Sequence, residues 1–131
     1  MDEATRNWFD AIFEEVLDAM PPRIHELMEQ IPLHLEDHPS RAMMRELGIR
    51  YRDDLCGLFT GIPITDKSLE QSGVLPDVVT LFREGIMRAA ADEFGRVDES
   101  ALREQIRITI LHEFGHYHGL DENELRALGY G

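Results

Sequence analysis

The first twenty positions place apolar residues at the spacing of a helix. Trp8, Ile12, Phe13, Val16 and Leu17 recur through a stretch from about 4 to 19 whose opposite side carries acids. Pro21-Pro22 stops this segment, and Pro22 suits the first position of a short helix running to about Gln30. The period then changes from helical to alternating. Ile31, Leu33 and Leu35 are interleaved with Pro32, His34 and Glu36, which predicts a strand with one buried face, placed by Pro32 at a sheet edge or at its own start. His38-Pro39-Ser40 opens a polar connection, with a short helix predicted over Arg41 to Leu47. An apolar stretch from Leu55 to Thr60 follows. Asp77 to Arg83 is the richest segment in β-branched and aromatic residues and reads as a strand. Ile86 to Phe94 reads as a helix ending at Gly95.

The last third carries the longest uninterrupted pattern. Asp98 is a good N-cap, Glu99 complements the positive end of the helix dipole, and nothing breaks a helix from there to His118. Gly119 stands where a left-handed terminating residue is expected. Leu102, Ile106 and Ile110 form one stripe, while Ile108, Leu111 and Phe114 point elsewhere, so this helix should be buried on most sides. A final short helix is predicted over about 121–128.

Length and composition narrow the class. With 131 residues the chain can bury one core without disulfides. No apolar run approaches a membrane span, and the acidic amphipathic start is the opposite of a signal peptide, so the expected compartment is cytoplasmic, with no membrane partner. Cys56, the single cysteine, is expected as a buried free thiol. A net charge of −13 argues against a nucleic-acid partner, because such binding draws on basic residues that meet phosphates. Arg41, Arg45, Arg50 and Arg52 cluster in sequence but read as a solvated helix and loop. His25, His34 and His38 show no ligand spacing and read as structural or exposed.

One constellation carries chemistry. His112-Glu113-Phe114-Gly115-His116 has the form H-E-x-x-H near the end of the long helix. Positions 112 and 116 lie about 40° apart around a helix, so both imidazoles can point at one ion. Glu113, beside the first histidine, is a poor third ligand but a good general base for a water on the metal. Gly119 turns the chain so that Glu122, or Asp121 one position nearer, can supply a third ligand. Two histidines and one carboxylate leave a fourth zinc position open, which is the catalytic arrangement. His118 lies about 160° from His116 on an ideal helix and reads as a surface or outer histidine. Tyr117, His118 and Tyr130 are candidates for stabilising an oxyanion.

HEFGHYHGLDENEL resembles the active-site stretch of a small family of zincin-like metallopeptidases with the pattern H-E-x-x-H-x-x-G-x-x-D. Gly57 to Thr65 resembles the family's G-L-Y-x-G-x-P-L-T segment, and Leu75 to Arg83 its L-P-D-x-I-x-[IL]-[FY]-R strand. The similarity spans roughly residues 55 to 128. It implies one zincin-like domain over 1–131, α+β in class, with a small mixed sheet packed on a central active-site helix and further helices around it. It also implies Zn2+ as cofactor and a peptide or protein as substrate. Two departures stand out: position 122 is Glu where the family pattern has Asp, and few residues remain after it to build the methionine turn of larger relatives.

Two other classes fit part of this pattern. Small endoribonucleases carry H-x-x-x-H-x-x-G-x-x-H, but Glu122 stands in place of their last histidine and the chain is strongly acidic. A non-catalytic module could retain the zinc site of an enzyme ancestor, but such a site has no need of Glu113. The leading expectation is a zinc-dependent peptide hydrolase in which an extended peptide pairs with a sheet edge offered by the Leu55–Thr60 or the Asp77–Arg83 strand.

Overall fold

Asp2 starts the first helix, its carboxylate accepting from the Thr5 amide at 2.8 Å, and α1 runs over Glu3–Asp18. The computed structural model describes residues 1–60 and 77–117. The apolar stripe of α1 is Phe9, Ile12, Phe13 and Val16, an i, i+3, i+4, i+7 series. The expected stripe was one residue out at its start: Trp8 is 37% exposed while Phe9 is fully buried. Pro22 opens α2 (Pro22–Met28) as expected, and the backbone reaches β1 (Leu33–Glu36) through buried Ile31.

Ser40 caps α3 (Arg41–Leu47) through the Met43 amide at 3.1 Å, and Gly48 closes it in the left-handed region at φ 69°. Two further strands, β2 (Gly57–Thr60) and β3 (Val78–Phe82), complete the described sheet, ordered β1-β3-β2. β1 runs parallel to β3, pairing Leu33 with Val79 and Leu35 with Leu81. β2 runs antiparallel to it, pairing Gly57 with Leu81 and Phe59 with Val79. The richest predicted strand is therefore the central one, with both sides paired. Of the two strands considered for substrate pairing, β3 is excluded and β2 is the outer one among the described strands.

α4 spans Arg83–Ala90, starting three residues before the predicted helix and ending four before its predicted end. The early start follows from β3, whose last residue, Phe82, is also the helix N-cap. The early end has a local cause. The Asp92 carboxylate accepts from the amides of Phe94 and Arg96 at 2.8 and 2.9 Å, folding 92–96 into a tight loop with Gly95 at φ 78°. Asp98 then caps α5 (Glu99–Tyr117), accepting from the Ala101 amide at 2.7 Å.

α5 is the element around which the rest is organised. Leu102, Ile106 and Ile110 have no exposed surface, Leu111 and Phe114 almost none, and these five pack with α1, α2, α4 and the Val79/Leu81 face of β3. Glu104 stays exposed and Arg103 and Arg107 half-exposed, so one side of the helix meets solvent. The described residues form five helices and a small mixed sheet, an α+β structure with its core between sheet and helices. Among the described residues no helix is long and apolar enough to cross a membrane.

Candidate functional site

The C-terminal half of α5, which carries His112 and Glu113, packs on the sheet. The helix is continuous from Glu99 to Tyr117, so positions 112 and 116 lie on one side of it, about 40° apart. His112 is half-buried, and Glu113 is 8% exposed, the one buried acid among the described residues. A carboxylate held this far from water is costly unless it is partnered or used. His116 and Tyr117 enter as helical backbone; His118, Asp121, Glu122 and Tyr130 lie outside the described residues.

β2 closes on this part of α5 through a missing side chain. A β-carbon on Gly57 would stand 3.0 Å from Thr109 Cγ2, 3.1 Å from Glu113 Cγ and 3.3 Å from Leu81 Cδ2. The outer strand therefore lies directly on Glu113. Thr109, one turn before Glu113, is 4% exposed and donates its hydroxyl hydrogen to the Gln105 carbonyl at 2.8 Å. Cys56, next to Gly57, is half-buried, and its thiol is pushed up from its ordinary value first by burial and then by the negative charge of Glu113. The carboxylate thus lies near enough to the thiol for its charge to act on it.

Sequence reasoning named His112, Glu113 and His116 but gave no site role to Gly57, Thr109 or Cys56. A signal for Gly57 existed: a glycine inside a strand marks close approach of another group. Thr109 had no such signal, being one more residue on a buried helix. His25, His34 and His38 are exposed, and the His38 ring Nδ1 lies 3.0 Å from the Pro39 carbonyl. Arg41, Arg45, Arg50 and Arg52 are exposed as expected; Arg52 pairs with Glu84 at 2.8 Å and Arg50 lies over the Tyr51 ring.

Zinc is the metal that the donor types suit: two imidazole positions one turn apart and a buried carboxylate beside the first. Among the described residues no group of three or more His, Cys, Asp or Glu side chains comes together as a metal cluster. The expected third ligands, Glu122 or Asp121, fall outside those residues. No curated protein matches the chain. The model of a family described as zincin-like metallopeptidase matches residues 28–131, a span that takes in the sheet, α3 to α5 and the H-E-x-x-H stretch.

Proposed function

Because the chain belongs to the zincin-like metallopeptidase family, we propose that it hydrolyses peptide bonds with zinc, the usual cofactor of that family, and that Glu113 is its proton-transfer residue. The observation carrying this reading is the burial of Glu113 beside His112, in the C-terminal half of α5 and under β2. His112 and His116 would hold the metal, with Glu122 as third ligand and Asp121 as its alternative. Bound zinc supplies Lewis acidity that polarises the scissile carbonyl.

The chain's own groups do the rest. Glu113 accepts a proton from the attacking water and delivers it to the leaving amine. Its partly dry surroundings strengthen that exchange relative to a solvated carboxylate. An extended peptide aligns along β2, whose main-chain groups offer ladder hydrogen bonds beside Glu113. Tyr117, His118 and Tyr130 are the candidates for holding the developing oxyanion. The domain that performs this chemistry is taken to be the whole of 1–131, acting on peptide or protein substrates.

Two measurements on the full chain test the reading. Zinc at a hundredfold excess over its dissociation constant should raise stability by about 2.7 kcal/mol, seen as a higher melting temperature, and His112→Ala should abolish the rise. Glu113→Gln should keep the zinc-dependent stabilisation and lose roughly 10²- to 10⁴-fold in hydrolysis of a fluorogenic casein. Stoichiometric zinc with no turnover over a broad peptide library would overturn the peptidase reading. No zinc uptake at neutral pH would overturn the metal site as well.

A further inference from the structure

We propose that Gly57 is a positioning residue for Glu113: the missing side chain lets β2 rest on the Glu113 side chain and so sets where its carboxylate sits. The inference rests on the reading of Glu113 as the proton-transfer group. Backbone conformation does not demand glycine here. The described glycines in the left-handed region are Gly48 and Gly95, and Gly57 is not among them. What demands glycine is space, with Thr109, Glu113 and Leu81 all within 3.3 Å of a β-carbon placed at this position.

Which neighbour would yield to a methyl group decides the consequence. The strand cannot move readily. Gly57 is in register with Leu81, and the Cys56 carbonyl accepts from the Phe82 amide at 2.8 Å. Behind it, α4 presses on the same segment, since a β-carbon on Gly85 would stand 1.9 Å from the Leu55 carbonyl oxygen. Thr109 is held by its hydroxyl bond to Gln105 and by burial, and Leu81 has no exposed surface. Glu113 is the neighbour with the most rotatable bonds, and its γ-carbon, 3.1 Å away, directly bears the carboxyl group. A methyl at position 57 therefore displaces the carboxylate before it displaces the fold. Cys56, next to Gly57, offers a reporter for that carboxylate, because burial first and then the charge of Glu113 push its thiol up.

The test compares the full chain with Gly57→Ala, Glu113→Gln, the two combined, and Gly57→Ala with Thr109→Ser. The last variant removes the methyl group at the tightest contact and carries the test if Gly57→Ala alone folds poorly. The first readout is the pH midpoint for alkylation of Cys56 by iodoacetamide, measured with and without zinc. Gly57→Ala should shift this midpoint, and the shift should vanish in the Glu113→Gln background. The second readout is fluorogenic casein hydrolysis, in which Gly57→Ala should lower kcat on the order of 10- to 100-fold with KM nearly unchanged. Zinc binding by the metal alone should stay within about threefold, as expected for a change that leaves the ligands in place. Adding Thr109→Ser should recover melting temperature but neither the midpoint nor kcat. An unchanged midpoint, or the same shift with and without Glu113, would overturn the proposal, as would kcat recovering together with stability. If wild type cleaves nothing, the peptidase reading falls, and the Cys56 midpoints alone decide the role of Gly57.

Discussion

Asp37 is held by two guanidinium groups. Arg6 donates to it at 2.6 and 3.1 Å, and Arg83 reaches it at 3.1 Å while also gripping Asp10 at 2.8 and 3.2 Å. The hydrogen bond from Arg6 is the main cause that brings the Asp37 carboxyl down from 3.8 to about 2. A depressed carboxylate adds stability that is present above its unfolded value and lost as pH falls toward the folded one. Discounted for the partial exposure of Arg6, the contribution is about 1–2 kcal/mol. Asp37→Asn should therefore be less stable than wild type by that amount near neutral pH. Urea titrations should show the gap closing between about pH 4 and pH 2, and a gap that persists at acid pH would contradict this account. Such networks are poorly legible in sequence: Arg6, Asp37 and Arg83 are unremarkable charges until the fold brings them together. Phe9 was missed for a related reason, since Trp8 is the larger apolar neighbour and only the packed stripe shows which of the two turns inward. His112 and Glu113 were legible because one helix segment carries both, and helix geometry alone fixes their spacing.

α5 was also legible as an element, because its cap and its buried stripe are local properties of the sequence. Asp98→Ala removes the side-chain acceptor for the Ala101 amide and should cost about 1 kcal/mol, measurable as a lower melting temperature with the fold retained. A larger loss would show that the N-terminus of α5 is coupled to more than its own first turn. α1 was found from its apolar spacing, and the structure adds side-chain caps that the sequence reading had not singled out, Asp2 on α1 and Ser40 on α3. α4 was misplaced at both ends because each boundary depends on a neighbour. The Phe82–Arg83 junction is set by pairing in the sheet, and the end at Ala90 by the Asp92 loop. Strand order was not legible either. Alternation and β-branching identify strands, but whether a strand lies inside or outside a sheet depends on partners elsewhere in the chain. The glycine turn, the third-ligand position and the final predicted helix fall outside the described residues.

At the scale of the assembled chain, the N-terminal helix lies before the span matched by the family model, yet it is part of the same core. Phe9, Ile12, Phe13 and Val16 pack in the cluster that includes Leu102, Ile106 and Ile110. Charged ties reinforce the packing: Arg103 pairs with Glu15, Arg83 with Asp10 and Arg6 with Asp37. The exposed pair adds little, so the apolar contact carries most of this attachment. A fragment comprising 28–131 should therefore expose the inward face of α5. We expect it to lack a cooperative calorimetric transition and to bind a hydrophobic dye, whereas a sharp transition would show that α1 and α2 are both dispensable.

The position of β3 between two partners that come earlier in the chain has a kinetic consequence. Both β1 and β2 must wait for β3 before either ladder can close, and the loops closed in doing so are long. Helices such as α1 and α5 form from local contacts, on a faster timescale. The helix bearing His112 and Glu113 can therefore exist before the strand that covers it. The strand beside Glu113 is laid down only when the sheet assembles. If the chain is the peptidase proposed above, a partly folded chain would carry Glu113 without the strand that lies against it, and cleavage would have to wait for the sheet.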